Sequence, residues 1–123
     1  MRVLVVDDDA IVLASCRRIL EEEGFAVVTA ASVSDAILAA VEQGFDLIIV
    51  DVKMPERDGL ELLAHVRRWR KPPPFIVMSG FPTSETVLAS LEGGAFVFVP
   101  KPFTPDELRA SVRLVVPGLV RGG

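Results

Sequence analysis

Residues 3–9 read Val-Leu-Val-Val-Asp-Asp-Asp, four apolar residues that run without interruption into three acids. A strand with one face in water alternates apolar and polar residues, whereas an unbroken apolar run predicts a strand buried on both faces. Strands of that kind belong to parallel sheets that helices cover on both sides. This first run therefore predicts a parallel α/β fold, with acids where the strand ends.

Four more short apolar runs extend the pattern along the chain. They occupy residues 26–29, 47–50, 75–78 and 96–99. Segments with apolar residues at helical spacing follow the five runs, at residues 10–23, 33–43, 59–70, 84–92 and 105–116. Strand and helix thus alternate five times, and right-handed crossovers would place helices on both faces of one sheet. The sequence predicts a doubly wound (βα)5 sandwich around a five-stranded parallel sheet.

The composition restricts the class of protein. With 123 residues, of which 50% are hydrophobic and 24% charged, the chain fits one domain with a buried core. A net charge of −4 disfavours general binding to phosphate backbones, so we expect no direct contact with nucleic acid. The single cysteine and single histidine exclude an intramolecular disulfide, a cysteine-rich zinc site and a multi-histidine centre. No apolar run has the length of a membrane span or a signal peptide, and we expect a cytoplasmic protein.

Charged and reactive side chains follow four of the five predicted strands. Strand one ends at Asp7, Asp8 and Asp9, strand three at Asp51, strand four at Ser79, and strand five, after Pro100, at Lys101. No ionisable residue directly follows strand two, which suits the edge of the sheet and gives the strand order 2-1-3-4-5. In open α/β sheets, ligands bind beyond the carboxyl ends of the strands, where the strand order reverses. We therefore expect the acids of strands one and three to face each other there.

These residue types suit one chemistry. Acids held close together repel one another unless a cation lies among them, and all-oxygen ligands favour Mg²⁺ or Mn²⁺. A carboxylate nucleophile can accept a phosphoryl group, whose spread negative charge needs a metal and a lysine around it. Asp51 is the candidate nucleophile, and Asp7 and Asp8 are candidate metal ligands. Ser79 and Lys101 would bind the phosphoryl oxygens.

Four short motifs lie in order at the ends of these strands. They are Val5-Val6-Asp7-Asp8-Asp9, Asp51-Val52-Lys53-Met54-Pro55 with Asp58-Gly59 following, Met78-Ser79-Gly80, and Lys101-Pro102-Phe103. Each motif is weak alone, but together they resemble the response-regulator receiver domain of two-component signalling over about residues 2–116. The resemblance implies a flavodoxin-like fold and a phosphoacceptor signalling domain that promotes only its own phosphorylation and dephosphorylation.

The resemblance also implies how the acids would act. Asp51 would accept a phosphoryl group from a sensor histidine kinase or a phosphotransfer protein. Asp8 and Asp51 would bind Mg²⁺ directly, and Asp7 would bind it through water. The backbone carbonyl of Lys53 would complete the protein ligands of the metal.

A switch is a further implication of the resemblance. Ser79 would move toward the phosphoryl group and Lys101 would pair with it; the Lys101-Pro102 bond is often cis in this family. Phe98 would rotate into the space that Ser79 leaves, with ordinary core packing as the alternative for this side chain. Helix four, strand five and helix five would then present a changed surface to an output domain or a partner protein.

Two features depart from the common receiver pattern. Receivers that dimerise through helix four, strand five and helix five often carry acids just before strand five, where this chain has Phe96 and Val97. We therefore expect no salt-bridged dimer. An apolar face around Phe96, Val87 and helix five would instead serve a partner or a homodimer, unless these side chains pack inward. Phe81, two residues after Ser79, would hinder hydrolytic water and slow the loss of phosphate.

The remaining features have structural interpretations. Asp9 lies where the cap of the first helix is expected. Residues 67–71, Arg-Arg-Trp-Arg-Lys, are interpreted as the solvated end of helix three, where the helix dipole favours cations. Cys16 is predicted to be a small buried apolar residue. His65 is predicted to lie on the surface of a helix and to take no part in phosphotransfer.

The predicted receiver spans residues 1–116, and residues 117–123 are expected to form a tail or the start of a linker. Two other functions are compatible with the pattern: an aspartyl-nucleophile phosphatase on the same architecture, or a receiver-like interaction module that works without phosphorylation. Lysine at position 53 disfavours the phosphatase, which usually needs an acid there. The intact set of acids, serine and lysine at the strand ends disfavours the interaction module.

Overall fold

Strands and helices alternate along the chain in the computed structural model, which describes residues 1–54, 58–80 and 83–116. The strands are β1 (Arg2–Val6), β2 (Ala26–Ala30), β3 (Leu47–Asp51), β4 (Phe75–Ser79) and β5 (Val97–Pro100). The helices are α1 (Ala10–Glu22), α2 (Val33–Glu42), α3 (Gly59–Val66), α4 (Ser84–Glu92) and α5 (Pro105–Val115). The predicted fivefold repeat of strand and helix is confirmed. In these described ranges, no helix has the length and apolar character needed to cross a membrane.

The five strands form one parallel sheet in the order β2-β1-β3-β4-β5, as the sequence predicts. Across the sheet, Val6 lies beside Val50, Val50 beside Val77, and Val77 beside Phe98. Strands β1, β3, β4 and β5 therefore end at nearly the same level. The residues that follow them share one edge of the sheet, and the strand order reverses between β1 and β3.

Apolar side chains fill the space on both faces of the sheet. Successive residues of a strand point to opposite faces, so that Val5 packs in the core beneath α1 and α5 while Leu4 packs in the core beneath α2 and α3. Every residue of β3 and β4 is buried. The unbroken apolar runs thus mark strands covered on both sides, which is why they lack the alternation of a half-exposed sheet.

Side-chain caps begin the helices, and Asp9 caps α1 as predicted. Asp9 and Asp58 each accept a hydrogen bond from the backbone N–H two residues further on, at the start of α1 and α3. Thr104 and Glu107 form a complete capping box at the start of α5. Each cap satisfies an N–H group that the helix itself leaves without a partner.

Helix α3 is shorter than predicted. The apolar spacing predicts a helix over residues 59–70, but α3 ends at Val66. The Trp69 N–H then donates to the Val66 carbonyl at 2.9 Å, which is the spacing of a tight turn. The prolines from Pro72 onward have no N–H to donate and disfavour helical backbone just before them. The basic residues 67–71 consequently form an exposed turn beyond the helix.

Candidate functional site

The carboxyl ends of β1, β3 and β5 bring two acids and a lysine together. Asp7 follows β1, Asp51 ends β3 and Lys101 follows β5. The Nζ of Lys101 lies 2.6 Å from Asp7 Oδ2 and 3.0 Å from Asp51 Oδ2. Asp7 is completely buried and Asp51 is 5% exposed. One ammonium group therefore bridges two buried carboxylates at the point where the strand order reverses.

Backbone N–H groups hold the other oxygen of each buried carboxylate. The Asp9 N–H donates to Asp7 Oδ1 at 2.9 Å, and the Lys53 N–H donates to Asp51 Oδ1 at 3.0 Å. In both places the chain turns back onto the side chain within two residues of leaving the strand. Together with Lys101, these turns fix the orientation of both carboxylates.

Burial and the shared lysine control the charge of this cluster. Burial raises the pKa of Asp7 above its ordinary value, and hydrogen bonds from Lys101 and from the Asp9 N–H offset only part of that rise. Burial also acts to lower the pKa of Lys101, but the hydrogen bonds to Asp7 and Asp51, together with the attraction of their charges, outweigh it, so the pKa of Lys101 is raised. Lys101 is thus a firmly protonated cation between the two acids.

A third acid completes a group that could hold a metal ion. Carboxylate oxygens of Asp7, Asp8 and Asp51 lie within 4.8 Å of one another, and Asp8 is exposed while the other two are buried. One lysine neutralises only part of the charge of three ionised carboxylates, so a divalent cation would relieve the remaining repulsion. An all-oxygen donor set with hard carboxylate ligands fits Mg²⁺ or Mn²⁺ rather than zinc.

The serine and second lysine of the motifs lie at the same edge. Ser79 ends β4 and is completely buried, and its backbone carbonyl accepts the Lys101 N–H at 2.8 Å. Lys53 is exposed two residues beyond Asp51. The Lys101–Pro102 peptide bond is cis. The structure therefore gathers the residues that the sequence assigns to the site along one edge of the sheet.

The apolar residues at the start of β5 differ in exposure. Phe96, just before the strand, is 64% exposed. Val97 is partly buried and packs against the core beneath α1 and α5. Phe98 is partly buried and packs against the core beneath α2 and α3. Of the predicted apolar face, Phe96 is thus exposed and Val87 is partly buried.

Gly59 contributes to the site through its lack of a side chain, which the motif spacing alone does not reveal. A Cβ at this first position of α3 would lie 2.2 Å from the Asp51 carbonyl oxygen and 3.0 Å from Val50 Cγ2. The Gly59 N–H also donates to the Val52 carbonyl at 3.1 Å. Only glycine allows the start of α3 to approach the backbone of the proposed nucleophile this closely.

Other expectations concern residues away from the site. Cys16 is buried as predicted, and burial, with a smaller contribution from the charge of Asp7, raises the pKa of its thiol to about 12. His65 is exposed on α3, as predicted, and meets the ring of Trp69 edge-on. Phe81 and residues 117–123 lie outside the described residues.

The profile of the response regulator receiver domain matches residues 3–113, and the chain belongs to this family. The fold and the acidic cluster at the reversal point agree with that assignment. The homologues are two-component response regulators, and the chain is similar to the receiver domain within them.

Individual relatives resemble the chain to different extents. The transcriptional regulatory protein PrrA of Mycobacterium tuberculosis is 39% identical over 115 residues, which cover 94% of this chain and 49% of PrrA. The chain thus spans about half the length of this relative. A CheY-like receiver domain protein from Methanospirillum hungatei has a TM-score of 0.89 at 31% identity, covering 99% of this chain and 98% of that one. TrrA from Thermotoga maritima, solved in complex with Mg²⁺-BeF, has a TM-score of 0.82 at 31% identity and covers 93% and 97% of the two chains.

Proposed function

We propose that this domain accepts a phosphoryl group on Asp51 from a histidine kinase or a phosphotransfer protein. The observation that carries the proposal is the bridge from Lys101 Nζ to Asp51 Oδ2 and Asp7 Oδ2 at the reversal point of the sheet. The bridge places a permanent cation against the proposed nucleophile. A cation in that position can neutralise the charge that a phosphoryl group brings to the carboxylate.

The chemistry is a transfer between two nucleophiles. An Asp51 carboxylate oxygen attacks the phosphorus of a phosphohistidine, a P–O bond forms as the P–N bond breaks, and the electron pair returns to the imidazole nitrogen, which takes a proton from solvent. The Lys53 N–H holds Asp51 Oδ1 at 3.0 Å and so orients the carboxylate during the attack. Ser79, buried at the end of β4, and Lys101 would bind the phosphoryl oxygens.

Asp8, Asp51 and the backbone carbonyl of Lys53 would hold a Mg²⁺ or Mn²⁺ ion, with Asp7 acting through water. The donor set of three carboxylates supports this assignment, and so does the Mg²⁺-BeF complex of TrrA. The ion, when bound, would supply positive charge to the phosphoryl oxygens. Asp8 is well placed to receive it from solvent because its exposed carboxylate makes no hydrogen bond to the described part of the chain.

The switch would pass through Ser79 and Phe98 to the surface of α4, β5 and α5. Helix α4 suits this role because Ser90 is the one buried residue among its described side chains, while Leu88 and Leu91 are exposed. A helix with so little buried apolar surface can shift at low cost in free energy. The exposed ring of Phe96 extends this surface, which would serve an output domain, a partner protein or a second copy of the chain.

The limits of the domain belong to the same proposal. Residues 1–116 would form the receiver, and residues 117–123 would form a tail or lead into a linker. The domain would promote its own phosphorylation and dephosphorylation and turn over no metabolite. It would act in the cytoplasm, where sensor kinases present their phosphohistidine.

Intact-mass measurement tests the proposal. The protein is incubated with Mg²⁺ and a small phosphodonor such as acetyl phosphate, and we expect the mass of one added phosphoryl group. Asp51→Asn should abolish the addition. Asp46→Asn is the matched control, because Asp46 is an exposed carboxylate before β3 that accepts a hydrogen bond from the Arg2 N–H. No adduct in the parent protein would support the phosphorylation-independent module instead. An adduct that persists in Asp51→Asn would show that another residue accepts the phosphoryl group and would contradict the assignment of Asp51.

A further inference from the structure

A groove lies at the amino ends of β4 and β5, on the edge of the sheet opposite the phosphorylation site. Its volume is about 510 Å³, and it is lined by Leu63, Arg67, Pro72, Pro73, Pro74, Phe75, Gly94 and Phe96. The lining is mostly apolar, and the ring of Phe96 at its margin is 64% exposed. An exposed aromatic ring beside an open apolar groove can receive an apolar side chain from outside the domain.

Four cations beside this groove have no ion-pair partner among the residues that the structure describes. Residues Arg67, Arg68, Arg70 and Lys71 are exposed in the turn that follows α3. None of them makes a hydrogen bond or ion pair within the described ranges of the chain, whereas Arg17, Arg109 and Arg113 each pair with a glutamate or aspartate elsewhere. The residues that line the groove come from the segments 63–75 and 92–96, and Glu92 is the single acid in these two segments. The turn is therefore a local positive patch on a chain of net charge −4.

Backbone contacts hold the walls of the groove and one of its cations, Arg67, in place. Gly94 has a φ of +108°, and a Cβ there would lie 3.2 Å from Cδ and Nε of Arg67, so the missing side chain lets Arg67 lie against the turn after α4. The Phe96 N–H donates to the Phe75 carbonyl at 2.9 Å and fixes the backbone that presents the ring. The three prolines restrict the opposite wall. The walls of the groove would therefore need little ordering on binding, which favours affinity.

We propose that this groove docks an acidic segment of a partner protein. An apolar side chain of the segment would pack against Phe96 and the proline wall, and its flanking carboxylates would pair with the cations of residues 67–71. A protein segment fits better than nucleic acid for two reasons. A short segment can stay within the local positive patch, whereas a long polyanion would extend beyond it over a chain of net charge −4. Trp69 is packed against the core, so the one indole ring is not free to stack on bases.

The fluorescence of Trp69 can report binding, because Trp69 is the only tryptophan of the chain and lies within the basic turn. Its fluorescence is followed while the protein is titrated with the acidic heptapeptide Glu-Asp-Glu-Leu-Glu-Asp-Glu. Two further probes are the same peptide with Ser in place of Leu and a single-stranded oligothymidine of similar charge. We expect saturable binding of the Leu peptide with a Kd below about 1 mM, weakened by salt and by the Ser replacement.

Variants locate the binding. The double variant Arg67→Gln with Arg70→Gln should weaken binding about tenfold, since it removes two charge-assisted contacts. Phe96→Ser should weaken it about as much while leaving the charge unchanged. Arg18→Gln, on the exposed surface of α1, is the matched control and should bind like the parent; thermal melts establish that all variants fold.

Several outcomes would overturn the proposal. They are the absence of saturable binding by the Leu peptide, equal binding of the Ser peptide, and tighter binding of the oligothymidine than of the peptide. An equal loss of affinity in Arg18→Gln would also overturn it, because binding would then follow net charge and not the groove. Because these titrations use unphosphorylated protein without a phosphodonor, their result is independent of the chemistry at Asp51.

Discussion

Replacing Gly59 with alanine should damage the proposed phosphorylation site without touching any charged group. The new Cβ would lie 2.2 Å from the Asp51 carbonyl oxygen and 2.9 Å from its carbonyl carbon. Reaching ordinary van der Waals contact would require the start of α3 and the end of β3 to separate by about 1 Å. Both neighbouring elements are buried, so the free energy of unfolding should fall by about 2–3 kcal/mol, as in other overpacked sites.

Urea unfolding and phosphorylation kinetics together test this prediction. The stability loss should come with a slower rate of phosphoryl addition, since Asp51 and the Lys53 N–H that orients it are displaced together. Gly44→Ala is the matched control: a Cβ there meets nothing within 4 Å, so both the stability and the rate should be unchanged. A Gly59→Ala protein as stable and as reactive as the parent would refute the reasoning about this close approach.

Three shorter predictions concern a thiol, a salt bridge and a cap. Burial holds the pKa of Cys16 at about 12, against 9.0 in the ordinary thiol. Because this thiol ionises first in the unfolded chain, it should lower the free energy of unfolding by about 1.4 kcal/mol between pH 8 and pH 10. Urea unfolding should show this contribution in the parent protein, and Cys16→Ala should lack it. Lys101→Met leaves two buried carboxylates without their cation and should cost about 3 kcal/mol in metal-free buffer, part of which Mg²⁺ should restore; equal stability with and without the lysine would contradict the bridge. Thr104→Ala removes the side-chain half of the capping box on α5 and should lower the free energy of unfolding by about 1 kcal/mol, with no change expected for the exposed Ser34→Ala.

The strands could be predicted from sequence because parallel strands buried on both faces leave an unbroken apolar signature. The observed strands β1 to β4 extend the predicted runs by one residue each, and β5 is shifted by one residue. Helix α3 is the exception, because apolar spacing continues through Trp69 while the turn hydrogen bonds and the prolines after it end the helix at Val66. The spacing of apolar residues shows which side chains face the core. A turn can place the Trp69 side chain against the core as well as a helix can.

The composition of the site followed from the strand order, but its contacts did not. Once β1 and β3 are neighbours, acids at their carboxyl ends must lie close together, so the grouping of Asp7, Asp8 and Asp51 was predictable. The sequence assigned Lys101 to the phosphoryl group, and it gave no sign that this lysine binds Asp7 at 2.6 Å. The close approach of Gly59 was also beyond sequence reasoning, because it depends on how α3 packs against the end of β3.

Chemical mapping of the modified residue shows whether Asp51 carries the phosphoryl group. The protein is phosphorylated with a small donor in Mg²⁺, reduced with borohydride, which converts an aspartyl phosphate to homoserine, and sequenced by tandem mass spectrometry. We expect homoserine at position 51 in samples that contain both donor and Mg²⁺, and unmodified Asp51 when either is omitted. Homoserine at position 7 or 8, or Asp51 unmodified with both present, would contradict the assignment of Asp51.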